Sequence, residues 1–290
     1  MRVIVNNYEE RLENARLAIK EADYILIGAG AGLSDSAGFG YSSKRFKNNF
    51  SDFIEKYQIN DLYTSSFYRF DTQEEYWAYW ARYIVVNRDE SKVNDVYANL
   101  GKLVKDKEYF VLTTNVDFQF QNSFIPQENI FMIQGDYGHI QCSISCHDTV
   151  YSNENLILEM LEQTNDCRIP TNLIPKCPKC ESNMRVHIHS DSSFIQDQDW
   201  NHAFKRFQEF YEIIKDKKVL LMELGVGFST PEIIRFSFDK FVNQNEEVKM
   251  IRINRHFPYS AEDIKYKTIS FDEDISKVIH ELNKKGDKYV

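Results

Sequence analysis

Short apolar runs separated by amphipathic stretches set the rhythm of this chain. Residues 8–22 carry charge around an apolar stripe through Leu12, Ala15, Ile19 and Ala22, the spacing of a helix with one buried face. Tyr24-Ile25-Leu26-Ile27 then runs apolar without alternation and ends in glycines. A parallel strand covered on both faces looks like this where it opens into a turn and a helix. Similar runs recur over 109–112, 130–133, 219–222 and 248–253, with helical patterns between them, notably over 95–104, 199–214 and 231–242. Strands alternating with helices predict an α/β fold, a Rossmann-like parallel sheet with helices on both faces. Such sheets bind ligands at the C-terminal strand ends, where every unusual motif of this chain falls.

Two stretches break the alternation. Residues 40–90 are rich in aromatics and helix formers, including Tyr76, Trp77, Trp80 and Tyr83, and predict a helical insertion. Residues 138–190 hold all five cysteines and a helical piece near 156–161, which predicts a compact metal-stapled module. Residues 1–39, 91–137 and 191–290 are left for the Rossmann-like domain. No internal repeat or low-complexity tract interrupts this plan.

Charge and cysteine placement narrow the function classes. With 44 acidic against 35 basic residues the formal net charge is −9, and no Lys/Arg block offsets it, so a nucleic-acid partner is disfavoured. The first 23 residues are charged throughout and lack a signal-peptide apolar core. The longest apolar stretch, 24–33, is broken by glycines and too short for a bilayer. No membrane association and a cytoplasmic location are expected. Five cysteines packed between Cys142 and Cys180 are unlike a distributed disulfide framework.

Four constellations carry chemistry. Gly28, Gly30 and Gly32 permit close backbone approach to a phosphate and offer N–H groups at a helix start. The strict G-x-G-x-x-G spacing fails, because Leu33 or Asp35 stands where the third glycine belongs, and an ordinary strand-to-helix turn would also explain the motif. Gly225-Val226-Gly227 is a candidate second phosphate turn. Asn115-Val116-Asp117 follows a strand directly, either as ligand contacts or as turn caps. Cys142-x3-Cys146 and Cys177-x2-Cys180 supply the four thiolates of a closed tetrahedral zinc site, with buried free thiols as the alternative. A closed site is structural. Cys167 is left over as a small buried hydrophobe, and His147 is a ligand only if one of the four cysteines is not.

Taken together, Gly30-Ala31-Gly32-Leu33-Ser34-Asp35-Ser36-Ala37-Gly38, Thr113-Thr114-Asn115-Val116-Asp117, Ile133-Gln134-Gly135 and Cys177-Pro178-Lys179-Cys180 resemble the NAD-dependent sirtuins. The resemblance runs from about Asp23 to Asn254. Within the family the chain looks most like the microbial macrodomain-linked class, which transfers ADP-ribose. The likeness implies NAD as co-substrate, held by Gly30, Ala31, Gly32, Ser34, Tyr41, Asn115, Asp117, Gln134, Gly225, Gly227 and Asn254. It implies that Asn115 positions the nicotinamide ribose and that Asp117 holds the nicotinamide amide. Asn254, at the family's adenosine-ribose position, is equally a strand-terminating asparagine.

Gln134 stands where a sirtuin deacylase has histidine. That histidine activates a ribose hydroxyl, and an amide cannot accept its proton, which costs typically about 10²–10⁴-fold in rate. Cleavage of the nicotinamide–ribose bond, through an oxocarbenium-like centre, does not need that base. The exchange therefore blocks deacylation more than transfer. The family's Ile-Pro-Asp-Phe-Arg stretch is here Phe39-Gly40-Tyr41-Ser42-Ser43, so Tyr41 or Arg45 must cover part of the lost shielding. Thr114 and Phe118 depart from the usual glutamine and glycine.

Candidate substitute bases are His139, off the family register, and His187 and His189. Strand alternation places these two on one face with Arg185, as candidates to act on substrate or intermediate. The expectation is an NAD-dependent protein mono-ADP-ribosyltransferase, a glycosyltransferase-class enzyme with Asn115, Gln134 and Asp117 as catalytic residues. The resemblance implies a lipoyl-carrier acceptor like the glycine-cleavage H protein and a macrodomain hydrolase that reverses the mark. The rivals are a deacylase using His187, His189 or water, and a non-catalytic NAD or ADP-ribose sensor.

Overall fold

Asn7 opens the described chain by capping helix α1 (Tyr8–Glu21), its side chain accepting from Glu9 N. In this computed structural model residues 7–40, 43–88 and 93–284 are described. The predicted strand follows as β1 (Tyr24–Ala29) and turns through Gly30 into the short α2 (Ala31–Ser34). The helical insertion supplies α3 (Ser43–Tyr57), α4 (Leu62–Ser65) and α5 (Gln73–Asn87). Thr72 and Glu75 start α5 with a reciprocal capping box. Then come α6 (Asp95–Val104), β2 (Glu108–Thr113) and β3 (Ile130–Met132).

The cysteine-bearing stretch contributes β4 (Gly135–Cys142), β5 (Tyr151–Ser152), α7 (Glu154–Gln163) and β6 (Met184–Ile188). The chain returns through α8 (Gln198–Ile214), β7 (Val219–Leu224), α9 (Arg235–Gln244), β8 (Val248–Ile253), β9 (Thr268–Phe271) and α10 (Ile275–Asn283).

The main sheet is parallel throughout, in the order β3-β2-β1-β7-β8-β9. Its central strands are apolar without alternation because both faces are covered. Leu12, Leu100 and Val278, from α1, α6 and α10, pack on one face with Ile25, Val111 and Ile251. Phe238 and Val242 of α9 and Ile214 of α8 pack on the other with Leu26, Leu112 and Leu221. The order runs outward from β1 in one direction and from β7 in the other, so the switch point lies between them. Ligands bind at such a point because the loops diverge there and leave a crevice.

The insertion and the cysteine-bearing stretch bury one common core. Phe46, Phe50, Phe53, Trp77 and Tyr79 pack continuously with Tyr137, Ile157, Met160 and Val186. β4 pairs antiparallel with β5 and β6 in a second, three-stranded sheet. Alternation marked β6 of this sheet, but sequence patterning marked neither β4 and β5 nor β9 and α10. The helix expected over 231–242 begins at Arg235, because residues 231–234 form turns first. Among the described residues no helix is long and apolar enough to cross a membrane.

Candidate active site

β1 and β7 end in two glycine turns that lie back to back. Gly30 N donates to Leu224 O at 3.0 Å, and Gly32 N to Gly225 O at 2.9 Å. Gly225 has φ of +64°, and a Cβ on it would stand 2.5 Å from the Cα of Gly32. A side chain at either position would push the turns apart. Gly227 differs: a Cβ there would meet nothing within 4 Å.

Beside these turns opens a cavity of about 540 Å³, within the range of small-molecule sites. Gly30, Ala31, Ser34, Asn115, Asp117, Gln134 and Gly227 all line it. Gly32 and Gly225 do not; they buttress the two turns. Asn254 lies behind the wall, donating from Nδ2 to Val226 O at 2.8 Å and accepting from Phe257 N at 2.9 Å. It therefore shapes the second turn from within. Tyr41 lies outside the described residues.

At the floor Asp117 is buried, accepting from Ser34 Oγ at 2.5 Å and from Gln119 N at 3.2 Å. Burial raises its carboxyl above the ordinary range, against the lowering effect of those bonds. Asn115 is 6% exposed, and its Nδ2 makes no well-formed hydrogen bond, with only the buried Tyr97 phenol interacting with its side chain. A buried amide donor in a cavity wall without such a bond is the mark of a site built to receive a partner. Such a donor, together with bare backbone at Gly227, fits a dinucleotide.

Gln134 is held from both sides. Ile133 O accepts from Trp200 Nε1 at 3.1 Å, and Gln134 O accepts from His189 N at 3.0 Å. Gly135 follows with φ of +78°, and a Cβ there would stand 2.2 Å from His187 O. Only glycine lets β6 approach so closely after the glutamine.

The candidate substitute bases and Arg185 separate. His139 pairs through Nδ1 with Asp136 at 2.9 Å and does not line the cavity. Its hydrogen bond to Asp136 raises its pKa against burial, and the same bond keeps Asp136 low although burial pushes the other way. His187 is buried, bonded through Nε2 to Ile195 O at 2.8 Å and stacked on Phe194; burial lowers its pKa. Arg185 holds Asp191 at 2.7 Å, away from the cavity. His189 lies past the end of β6, where alternation no longer governs, and lines the cavity beside Ile188 and Ser190. Arg45 braces the loop before α3, donating to Phe39 O at 3.1 Å and Asn87 Oδ1 at 2.8 Å.

Several lining residues carried no signal in the sequence. Trp80, Tyr83 and Asn87 come from α5 and Tyr137 from β4, and their approach to the site depends on long-range packing. Ser229 and Thr230 followed the second glycine turn openly and were available to pattern reading.

The sulfur atoms of Cys142, Cys146, Cys177 and Cys180 all lie within 4.8 Å of one another. Cys142–Cys180 and Cys146–Cys177 are 3.6 and 3.5 Å apart. Tetrahedral thiolates about 2.3 Å from zinc sit roughly 3.8 Å apart, so the cluster fits that ion. Cys167 is buried outside this cluster, in the core shared by the insertion and the cysteine-bearing stretch, and His147 lies with Nδ1 3.0 Å from Cys146 Sγ and Nε2 2.8 Å from Tyr151 OH.

This parallel sheet, the switch-point cavity and the four-sulfur module together define the sirtuin fold. A Sir2 homologue in complex with NAD superposes with a TM-score of 0.57 at 16% identity, covering 93% of this chain and 91% of that one. Sir2Tm bound to a propionylated peptide gives 0.55 at 16% identity, over 93% and 96%. Sequence similarity is closer to a narrower group. A protein ADP-ribosyltransferase of Staphylococcus aureus strain Mu50 is 36% identical over 280 residues, covering 96% of this chain and 89% of that protein. The chain belongs to the family of that ADP-ribosyltransferase. A probable bifunctional ADP-ribose hydrolase/ADP-ribosyltransferase of Fusarium oxysporum f. sp. cubense is 28% identical over 266 residues, 86% of this chain but 43% of that longer protein. No protein-family model matches the sequence.

Proposed function

We propose that the protein transfers ADP-ribose from NAD to a protein acceptor and releases nicotinamide. One observation carries this reading: Gln134, an amide unable to take a proton, occupies the cavity wall beside Asn115 and Asp117. NAD supplies the ribosyl carbon whose bond to nicotinamide breaks. Asn115 offers its amide to the nicotinamide ribose, and its dipole steadies positive charge developing there. Asp117, steadied by Ser34, meets the nicotinamide amide. Gln134 orients a ribose hydroxyl without deprotonating it. The glycine turns, with Asn254 behind the second, hold the phosphates and the adenosine end. Residues 1–39, 91–137 and 191–290 form the NAD-binding domain, 40–90 the helical insertion and 138–190 the zinc-binding module. A structural zinc on the four cysteines holds this last module together.

The acceptor is a lipoyl-carrier protein of the glycine-cleavage H type, and a macrodomain hydrolase reverses the mark. The Fusarium relative, named for both hydrolase and transferase, supports a paired writer and eraser. The enzyme works in the cytoplasm. Purified protein incubated with labelled NAD, carrier protein and an acyl-lysine peptide tests the reading. Label on the carrier and released nicotinamide are expected. Acyl-ADP-ribose would mean a deacylase, and tight NAD binding without nicotinamide release a sensor.

A further inference from the structure

Gln134 leaves the transfer with an unassigned proton. A hydroxyl, thiol or amine acceptor must lose one as it bonds to the ribose, and the amide cannot take it. Among the described lining residues only Asp117, His189 and the phenols Tyr63, Tyr83 and Tyr137 can exchange a proton. Asp117 is buried and already accepts from Ser34 and Gln119. His189 is different. Its backbone N–H to Gln134 O, 3.0 Å, sets it alongside the glutamine. Its ring packs edge-on against Phe194, with centroids 5.0 Å apart. No side-chain hydrogen bond to a described residue occupies its ring nitrogens.

We infer that His189 meets the incoming acceptor and takes its proton. This rests on the transferase reading above and adds an acceptor class to it: a protic nucleophile rather than a carboxylate. The bond from ribose C1′ to the nicotinamide nitrogen breaks, and its electron pair leaves with neutral nicotinamide. A bond from C1′ to the acceptor oxygen, sulfur or nitrogen forms, and the acceptor's proton passes to the imidazole and then to water. The charged groups on the surrounding elements are engaged elsewhere. Asp191 holds Arg185 at 2.7 Å, and Asp136 holds His139 at 2.9 Å. Asp117 holds Ser34 at 2.5 Å, and Asp197 caps α8 through Trp200 N at 2.9 Å. None of them competes as the acceptor's base.

The test compares wild type with His189→Gln and His189→Asn, two polar replacements that do not titrate. Each is assayed from pH 5.5 to 9 with labelled NAD, once with purified lipoyl-carrier protein and once with water as sole acceptor. Transfer is expected to fall about 10²-fold or more at saturating NAD. The rise of wild-type rate with pH should flatten in both variants, while KM for NAD changes little. Wild-type rates in the variants, an unchanged pH profile, or a product cleaved as an ester by neutral hydroxylamine would each overturn the inference. If the wild type labels no protein, the transferase reading fails by itself. The same comparison of nicotinamide release to water, itself a protic acceptor, then decides His189 separately. A wild type inert in both assays sinks both.

Discussion

Replacing Gly225 by alanine should damage the molecule, and replacing Gly227 should damage only its ligand binding. At Gly225 the new methyl would stand 2.5 Å from Gly32 Cα and Leu33 N, backbone atoms that cannot swing aside, at φ of +64°. A left-handed conformation costs an L-residue about 1–2 kcal/mol, and overpacking a tight contact adds about 1–3 kcal/mol. Gly225→Ala should therefore lose about 2–5 kcal/mol, lowering the melting temperature by on the order of 3–10 °C.

Gly227 faces open space, so its alanine variant should melt with the wild type when no ligand is added, within about 0.5 kcal/mol. Its methyl would intrude on the cavity that Gly227 lines. NAD at a hundred times its dissociation constant stabilises a binding-competent protein by about 2.7 kcal/mol, and Gly227→Ala should forfeit most of that shift. Thermal melts with and without NAD read both effects. A Gly225→Ala protein that melts normally would refute the close approach of the turns. A Gly227→Ala protein with the full NAD shift would refute a phosphate role for the second turn.

Other outcomes follow from the same geometry. Glu223, fully buried, joins Arg235 at 3.0 Å and Arg252 at 2.6 Å; Glu223→Ala leaves Arg235 without a carboxylate and Arg252 with Asp239 alone, and should cost about 3–5 kcal/mol in urea unfolding. Cys142→Ala, or a strong chelator, should release stoichiometric zinc by atomic emission and expose the small sheet to protease. The Asp136–His139 pair gives a pH signature. Depressed Asp136 stabilises above its unfolded pKa of about 3.9 and loses this as pH falls through its folded value, whereas raised His139 stabilises below about 6.5 and loses this as pH rises through its own. The melting-temperature advantage of wild type over His139→Gln should thus be greatest near pH 4–6.5 and shrink by pH 8.5; a pH-independent difference would refute the pairing.

The parallel strands were legible because burial on both faces leaves an unbroken apolar run, as over 219–224, where every residue is buried. β9 was not, because only Phe271 of its four residues is buried, as befits an edge strand. α10 carries a stripe at Ile275, Val278, Ile279 and Leu282, the spacing of a helix with one buried face. β4 hides behind Gly135, Asp136, Gly138 and His139, and its partner β6 lies more than forty residues on. Short motifs brought Ser34, Asn115, Asp117 and Gln134 into view because each follows the end of a strand within a few residues. Asn254 sits at one too, yet its amide points to Val226, an orientation set by the following turn. His187 and His189 show the limit of periodicity: the rule stops with the strand, at Ile188.

β4 starts immediately after Gln134 and ends at a thiolate of the metal cluster. Its eight residues span at most roughly 24 Å, less the bulge that shifts register with β6 between Gly135 and Ile140, and form a rod held at both ends. A slip of this rod by one place would turn Tyr137 away from the cavity and pull Cys142 out of its cage together. An ion held by the four sulfurs would thus set the gauge of the distant amide, and its removal would cost alignment where no metal ever touches.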